Sequence, residues 1–226
     1  MSRDLFPPEV AVATGPVDAT SDLHPAEARL AQPMGAARRR EFAAGRDCAH
    51  RAMRALGAGE GPVLRGVRRA PRFPRGVVGA ITHTRGYCAA AVAKATALAG
   101  VGIDAEQWKP LSERALARIC APDEVERLRA LPDHRPEEWG AVVFSAKESL
   151  YKAYFPLTET FIGFRDATLT LQPETRNTGH FEATLTRADP PSAANQRHFE
   201  GRYQLLETPT PLVVTGLVIP HDTRRT

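Results

Sequence analysis

Three carboxylates and two lysines occupy two short segments of this chain, and their spacing suits the chemistry of a metal ion and a phosphate. The first segment is Gly102-Ile103-Asp104-Ala105-Glu106. Because side chains two residues apart on a β-strand point to the same face, Asp104 and Glu106 are predicted to share one side of a strand. Two negative charges that close repel each other, so a cation is expected beside them. For this pair alone, a solvated strand face is the simpler interpretation.

The second segment is Phe144-Ser-Ala-Lys-Glu-Ser-Leu-Tyr-Lys-Ala153, in which Glu148 and Lys152 are four residues apart. On a helix this spacing makes them neighbours on one face, and Lys147 and Tyr151 form the next such pair. A surface Glu–Lys pair would explain the spacing alone. However, the helix also offers the third carboxylate that a strand pair lacks, and Mg²⁺ takes further oxygens from substrate phosphates. The two segments together predict a divalent cation held against a pyrophosphate.

Upstream of these segments, a histidine and several arginines have the chemistry of a phosphate site. His83 ends an apolar run that begins at Val77, and Thr82 precedes it. A hydroxyl, an imidazolium and a backbone N–H together can bind a phosphate, although a lone histidine is more often structural. The arginines are a second candidate because guanidinium groups fit phosphate oxygens, although a charge run is usually a solvated face. They are Arg38, Arg39, Arg40, Arg46, Arg65, Arg68, Arg69, Arg72 and Arg75.

Hydrophobic spacing predicts the elements that must position these residues. The predicted helices span about 36–56, 112–120, 122–131 and 136–154, the last ending before Pro156. The predicted strands span 77–82, 87–93 and 99–106 in the first half, and 167–171, 181–186, 203–206 and 212–219 in the second. The proline-rich residues 1–35 are expected to be loosely ordered, and residues 57–76 to form a loop. No internal sequence repeat is apparent.

Composition limits the class of protein. The chain has 226 residues, of which 42% are hydrophobic and 25% charged, and this is ordinary for a soluble globular protein. A net charge of +4 permits acidic or phosphorylated partners without requiring nucleic acid. The three cysteines have no CxxC spacing, which argues against a zinc site or a disulfide framework and suits a reducing cytoplasm. Neither a signal peptide nor a membrane span is expected.

Taken in order, these segments resemble the Sfp-type phosphopantetheinyl transferases, in particular the enterobactin-synthetase-associated branch. The resemblance extends from about Arg38 to Asp166, well over half of the chain. Gly-Ile-Asp-x-Glu alone is moderately specific, but with Lys-Glu-Ser-x-x-Lys at this distance the match is strong. The matching blocks are Arg38-Arg-Arg-Glu-Phe with Arg46-Asp-Cys-Ala, Pro62-Val-Leu-Arg65-Gly, Gly76-Val-Val-Gly-Ala-Ile-Thr-His83-Thr-Arg-Gly-Tyr87, Val101-Gly-Ile-Asp-Ala-Glu106, Ser145 to Thr158, and Phe161-Ile-Gly-Phe-Arg-Asp166.

The resemblance implies an α/β (α+β) fold of two similar lobes related by pseudo-twofold symmetry, with a ligand cleft between them. The expected lobes are residues 1–102 and 103–226. It also implies transfer of the 4′-phosphopantetheine arm of coenzyme A to a serine of an acyl or peptidyl carrier protein, with release of adenosine 3′,5′-bisphosphate. The systems activated would be non-ribosomal peptide, polyketide or siderophore synthases. We expect a cytoplasmic monomer that binds coenzyme A and apo carrier proteins, but neither nucleic acid nor membranes.

The same resemblance assigns the metal and the catalytic groups. Asp104, Glu106 and Glu148 are implied to hold Mg²⁺, with Mn²⁺ as an alternative ion. Glu148 is the leading candidate for the base that takes the serine proton, although a carboxylate bound to Mg²⁺ is a poorer base. Lys147 and Lys152 are expected near the pyrophosphate, where Lys152 would stabilise the leaving bisphosphate.

The coenzyme A contacts are implied in the same way. His83, together with Thr82, is expected to contact the 3′-phosphate. Arg38, Arg46 and Arg65 are expected to contact the nucleotide phosphates, with Arg65 standing where relatives often have lysine. Ala80 departs from the serine common in this block, and the last sixty residues carry no family signature.

Two other functions remain open at this point. A different magnesium-dependent enzyme acting on a nucleotide, such as a nucleotidyltransferase, would use the same carboxylates but would not explain a histidine reserved for a 3′-phosphate. A basic nucleic-acid-binding module would use the arginines, although a net charge of +4 is a weak basis for it.

Overall fold

The computed structural model describes residues 5–17, 22–186 and 196–221. The helices in these ranges are α1 (Pro25–Ala31), α2 (Ala36–Ala55), α3 (Glu113–Ile119), α4 (Pro122–Arg129) and α5 (Pro136–Thr158). The strands are β1 (Val10–Gly15), β2 (Leu64–Arg65), β3 (Pro71–Arg72), β4 (Val77–Thr84), β5 (Tyr87–Lys94), β6 (Gly100–Gln107), β7 (Ala167–Pro173), β8 (Thr178–Leu185), β9 (His198–Leu206) and β10 (Leu212–Ile219). Each of these helices is too short or too polar to span a bilayer.

The N-terminal lobe is a three-stranded antiparallel sheet, in the order β1-β5-β4, covered on one face by α2. The apolar face of α2, which includes Ala49 and Met53, packs on the alternate residues Cys88, Ala90 and Val92 of β5. Small side chains on β5 bring the helix close to the sheet. The lobe therefore holds the start of α2 and the end of β4, which carry the arginines and His83, in fixed relation.

The C-terminal lobe is a five-stranded antiparallel sheet, in the order β6-β10-β9-β8-β7, covered by α5. Trp139, Val142 and Leu150 of α5 are fully buried on this sheet, against Phe181 and Tyr203 of the neighbouring strands. This is the largest apolar core among the described residues. It fixes the long helix that carries the Lys-Glu-Ser segment.

The two lobes meet along β4 and β6, which are edge strands of their sheets. A separate apolar cluster fills this junction, with Ala91 of β5, Ile103 and Ala105 of β6, Val214 of β10 and Phe6 of the N-terminal segment among its members. The mixed α/β architecture of two lobes is confirmed. The predicted boundary after residue 102 falls inside β6, and the change from one sheet to the other comes before Gly100.

In the N-terminal lobe, a buried glutamate ties the short helix to the long one. Glu27, in the first turn of α1 after Pro25, is fully buried. Its carboxylate lies 3.0 Å from Nε2 of His50 on α2 and accepts a 2.6 Å hydrogen bond from the Val63 backbone N–H. The glutamate therefore holds together α1, α2 and the segment that leads into β2.

The C-terminal lobe repeats this arrangement. Glu124, in the first turn of α4, accepts hydrogen bonds from Nζ of Lys147 on α5 at 2.9 Å and from the Leu169 backbone N–H at 2.8 Å. The separation between acid and base is 23 residues in both lobes, from Glu27 to His50 and from Glu124 to Lys147. The two lobes are therefore similar in their internal ties as well as in their layers, although no repeat is apparent in the sequence.

Three expectations about the elements differ from the structure. Residues 1–35, expected to be loosely ordered, contain β1 and α1 within their described part; β1 pairs with β5, and residues 1–4 and 18–21 lie outside the described ranges. The predicted loop 57–76 includes the short pair β2 and β3. Helix α5 continues past Pro156, and Glu159, with a left-handed φ of 51°, caps it.

Candidate active site

A close approach between β6 and α5 brings the two chemistry-bearing segments together. A methyl group added at Gly102 would lie 1.9 Å from the backbone oxygen of Ser149 and 3.0 Å from the Cβ of Ala153. Only glycine permits this separation, so the strand passes directly under the turn of α5 that carries Glu148 and Lys152. The Gly-Ile-Asp segment thus places its own carboxylate within reach of the helix.

A chain of buried hydroxyl groups fixes α5 against β10, the strand beside β6. The Thr215 hydroxyl donates to Oγ of Ser149 at 3.1 Å, and Oγ of Ser145 lies 2.9 Å from the Thr215 hydroxyl. Thr215 is the register partner of Asp104 in the sheet. The serine of the Lys-Glu-Ser segment is therefore a packing residue that sets the helix position next to Asp104.

Asp104 is the centre of the site, and its two carboxylate oxygens have different surroundings. The residue is 3% exposed. Oδ1 accepts hydrogen bonds from Nζ of Lys152 at 2.7 Å and from the Thr82 hydroxyl at 3.2 Å, and the same hydroxyl accepts from the Ala105 backbone N–H at 3.1 Å. Oδ2 is buried without a hydrogen-bond partner among the described residues. Because an unpaired buried charge is costly, this oxygen has capacity for a cation.

Glu106 and Glu148 lie in the same electrostatic field. Burial raises the pKa of Glu106 to about 7, and the charges of Asp104 and Glu148 add to the effect. Burial, followed by the charge of Asp104, also raises the pKa of Glu148. Lys152 opposes both shifts. Lys152 is thus the ammonium group that acts on all three acidic side chains, and Lys109 adds a further positive charge near Glu106.

This donor set fits a hard cation, although it is not assembled around one. Within the described ranges, no three His, Cys, Asp or Glu side chains converge closely enough to hold an ion. The candidate ligands are all carboxylates, the oxygen donors that Mg²⁺ prefers, and Asp104 Oδ2 is free to bind. Binding by all three carboxylates would require them to come closer together than they are in this structure.

A second group of charges lies at the end of β4. Nε2 of His83 is 2.7 Å from Nη1 of Arg38, and the same Nη1 donates to Oε2 of Glu41 at 3.0 Å. A guanidinium group can only donate, so the histidine nitrogen accepts and the ring is neutral. Burial lowers the pKa of His83; the charges of Arg38 and Lys152 act in the same direction, against Glu41 and Asp104. Glu41 was not predicted, although its position three residues after Arg38 on a helix was the available signal.

Arg46 belongs to the same side of the N-terminal lobe, and two of its donors are used in hydrogen bonds to the backbone of Val63 and Leu64. It is 8% exposed. Its Nε donates to the Val63 carbonyl at 3.1 Å, and its guanidinium carbon lies 3.9 Å from the centre of the Phe42 ring. Burial lowers its pKa to about 10, and the charges of Arg38 and Arg65 contribute to the decrease. The three arginines predicted to contact phosphates therefore lie near one another.

The expectation that Lys147 lies near the pyrophosphate must be corrected. Its Nζ is buried and donates to Oε2 of Glu124 at 2.9 Å and to the backbone oxygens of Ile119 at 2.9 Å and Phe164 at 2.8 Å. Consecutive residues on an α-helix differ in direction by about 100°. When Glu148 faces the cleft, Lys147 faces α4. This lysine is a structural tie and does not join the group around Asp104.

A cavity of about 200 Å³ opens between the lobes beside these residues. Arg68 and Arg69, both in left-handed backbone conformations, line it from the β2–β3 connection. Glu148, Tyr151 and Lys152 line it from α5. The cavity therefore joins a basic wall of the N-terminal lobe to Glu148 and Lys152 of the C-terminal lobe.

Comparison with known proteins agrees with this arrangement. Two family models match the chain: the 4′-phosphopantetheinyl transferase N-terminal domain over residues 26–93, and the 4′-phosphopantetheinyl transferase superfamily over residues 100–205. The 4′-phosphopantetheinyl transferase Svp of Streptomyces mobaraensis is 40% identical over 213 residues, which are 93% of this chain and 84% of that protein. PptT of Mycobacterium tuberculosis is 39% identical over 163 residues, or 71% of each chain. Npt of Nocardia iowensis is 40% identical over 151 residues, or 67% of each chain.

Proposed function

The chain belongs to the 4′-phosphopantetheinyl transferase family and is a transferase of this type; on that basis we propose a magnesium-dependent transfer from coenzyme A. The phosphopantetheine arm would move to a serine of an acyl or peptidyl carrier protein, with release of adenosine 3′,5′-bisphosphate. Membership of this family removes the nucleotidyltransferase and the non-enzymatic binding module as alternatives. Assignment to the enterobactin-synthetase-associated branch stays a prediction.

The observation that carries this proposal is the half-paired carboxylate of Asp104. One oxygen is bound by Lys152, and the other is buried without a partner among the described residues, at the junction of the lobes. Such a group is suited to bind a metal ion on one side while a lysine remains available to a phosphate on the other. Asp104, Glu106 and Glu148 would hold the ion, which would supply charge neutralisation to the pyrophosphate oxygens when bound.

The reaction asks the protein mainly to position groups and to neutralise charge. The serine oxygen forms a bond to the phosphorus that carries the pantetheine arm, and the bond from that phosphorus to the bridging oxygen breaks. Negative charge then accumulates on the departing bisphosphate. Lys152, 25% exposed and 2.7 Å from Asp104, is the cation proposed to stabilise that charge.

The serine must also lose a proton, and Glu148 is proposed to accept it. Burial raises the pKa of this carboxyl group, which makes its anion a stronger base. Glu148 lines the cavity between the lobes, whereas Glu106 does not belong to its wall. Access to the entering hydroxyl therefore favours Glu148 over Glu106.

The basic group at the end of β4 is proposed to bind the 3′-phosphate of coenzyme A. His83 and Arg38 are in direct contact there, and Arg65 and Arg46 add positive charge nearby. Thr82 stands between this group and Asp104, because its hydroxyl contacts the carboxylate while the next residue is His83. One strand would thus connect the 3′-phosphate to the metal site.

The test is incubation of the protein with an apo carrier protein, coenzyme A and Mg²⁺, followed by the intact mass of the carrier. The expected result is a mass gain of one phosphopantetheine group, lost when Mg²⁺ is chelated and restored by Mg²⁺ or Mn²⁺. Absence of any gain with several apo carriers, at every metal concentration, would overturn the proposal.

The natural carriers and the state of the protein are proposals as well. We expect peptidyl and polyketide carriers, including those of siderophore synthases, to be modified faster than carriers of fatty-acid synthesis in a parallel assay. We also expect a cytoplasmic monomer without affinity for DNA or vesicles. Light scattering and binding assays on the same preparation would test these expectations.

A further inference from the structure

Glu41 is an acidic side chain in the middle of the basic group that is proposed to bind the 3′-phosphate. Its Oε2 lies 3.0 Å from Nη1 of Arg38 and 3.9 Å from Nε2 of His83. All three side chains are partly exposed. An anion therefore already occupies a position between the two groups that a phosphate would need.

The hydrogen-bond donors of Arg38 Nη1 are already used within this group of side chains. Nη1 of a guanidinium group carries two hydrogens. In this structure one of them is directed to Glu41 and the other to His83, so this nitrogen has none left for a phosphate oxygen. His83 is also occupied, because its Nε2 accepts from Arg38 and cannot donate at the same time. A phosphate can reach these atoms only if Glu41 or His83 releases Arg38.

Charge leads to the same conclusion. With a neutral His83, the group of Arg38, Glu41 and His83 has no net charge, whereas Arg38 and His83 alone would carry a positive one. The other charges acting on His83 are the cation Lys152 and the anion Asp104, which are themselves paired. Glu41 is therefore the anion whose removal most increases the positive potential at this position.

We propose that Glu41 is an internal competitor of the substrate's 3′-phosphate, a specificity-determining residue that weakens binding of 3′-phosphorylated nucleotides. This inference rests on the proposed function, since it requires that the 3′-phosphate bind at Arg38 and His83. Coenzyme A and the product adenosine 3′,5′-bisphosphate share this phosphate group. A carboxylate that returns to Arg38 when the product leaves would favour release of the product and turnover.

The test compares Glu41→Gln with the wild type for binding of adenosine 3′,5′-bisphosphate by calorimetry. Glutamine keeps the size of the side chain and removes its charge. Removing one unit charge near a phosphate dianion in partly exposed surroundings should tighten binding about tenfold. The KM for coenzyme A should fall in parallel, while the KM for 3′-dephospho-coenzyme A should not change. If Glu41 had only a structural role, its substitution would change the KM for coenzyme A and the KM for 3′-dephospho-coenzyme A together.

Glu126→Gln is the matched control. Glu126 also pairs with an arginine three residues away on a helix, Arg129, and the substitution changes the net charge by the same amount. Glu126→Gln should leave the affinity for adenosine 3′,5′-bisphosphate and the KM for coenzyme A unchanged. If Glu126→Gln tightened binding as much as Glu41→Gln, a general charge effect would replace the proposal.

The remaining outcomes separate this inference from the proposed function. If the wild type binds the bisphosphate and transfers the arm, but Glu41→Gln binds with equal or lower affinity, the competitor role is overturned and the transferase assignment stands. If the wild type neither binds the bisphosphate nor modifies a carrier, the proposed function itself fails, and the inference fails with it.

Discussion

Gly102→Ala is the substitution that most directly tests how the site is assembled. The new Cβ would lie 1.9 Å from the Ser149 backbone oxygen, whereas such contacts essentially never fall below 3.0 Å. Helix α5 must therefore move from β6 by at least 1.1 Å locally. Since the obstacle is backbone, no side-chain rotation can relieve it. The helix that carries Glu148 and Lys152 would be displaced from Asp104.

The expected cost follows from this displacement. Overpacking of this kind destabilises a core by about 1–3 kcal/mol, and a misplacement of about 1 Å in a catalytic group lowers the rate by about 100-fold. The 2.7 Å contact between Lys152 and Asp104 would be lost. We therefore expect a lower melting temperature, together with a large decrease in kcat at a temperature where the variant is still folded.

The assay is carrier modification followed by mass spectrometry, with folding monitored by circular dichroism. Gly59→Ala is the control, because a Cβ at that position would meet no atom within 4 Å. It should behave like the wild type in both measurements. Gly102→Ala with wild-type activity and stability would refute the argument that the close approach of β6 and α5 assembles the site.

Other substitutions test the roles of individual charges. Lys147→Met should destabilise the protein by about 3 kcal/mol in chemical denaturation because it leaves a buried carboxylate without its cation, yet the folded fraction should keep its activity. Lys152→Met should lower the kcat of the folded fraction by about 100-fold, and it should also lower the melting temperature because it leaves the buried Asp104 without its cation; equal effects of the two variants on kcat would contradict the assignment. His83→Ala should impair the use of coenzyme A far more than that of 3′-dephospho-coenzyme A in steady-state kinetics, and equal losses would remove the 3′-phosphate role. Burial raises the pKa of Glu27, but hydrogen bonds from His50 and a backbone N–H outweigh this effect and leave the pKa below 4.5. The free energy of unfolding of the wild type should therefore decrease as the pH falls below that value. In urea unfolding across the same pH range, Glu27→Gln should show a flatter dependence of stability on pH.

Local periodicity predicted the parts of the site that depend on neighbouring residues. Asp104 and Glu106 share a strand, and Glu148 and Lys152 share a helix face, because both relations follow from the geometry of one element. The contact between Lys152 and Asp104, 48 residues apart, could be expected only from the resemblance to a known family. It depends on how closely two elements pack, and Gly100 and Gly102, where a Cβ would meet the backbone of α5, were the local signs of that distance.

The direction of Lys147 could not be predicted for a related reason. Its neighbour in sequence faces the cleft, and a rotation of one residue on the helix is enough to turn Lys147 toward α4. Its partner Glu124 lies 23 residues away and is buried with three hydrogen-bond donors around it. A charged residue adjacent to a catalytic one resembles a second catalytic residue in sequence, and only burial distinguishes the two.

The equivalence of the lobes explains why Lys147 and Lys152 of α5 have such different roles. In each lobe the long helix carries a basic residue that is tied to a buried glutamate: His50 in one and Lys147 in the other. The helix also contacts the first strand of its own lobe. Arg51 makes this contact in the N-terminal lobe, through the backbone oxygen of Thr14.

In the C-terminal lobe the corresponding face of the helix meets a carboxylate instead, because Lys152 binds Asp104 on β6. In the N-terminal lobe the helix side chain donates to a backbone oxygen. In the C-terminal lobe it binds one oxygen of Asp104, and the other, Oδ2, has no partner among the described residues. The same packing of helix on strand therefore yields a structural joint in one lobe and an unsatisfied carboxylate in the other. Because β4 and β6 lie side by side, the unsatisfied carboxylate sits next to the basic group of the opposite lobe, and chemistry between a metal ion and a phosphate requires both.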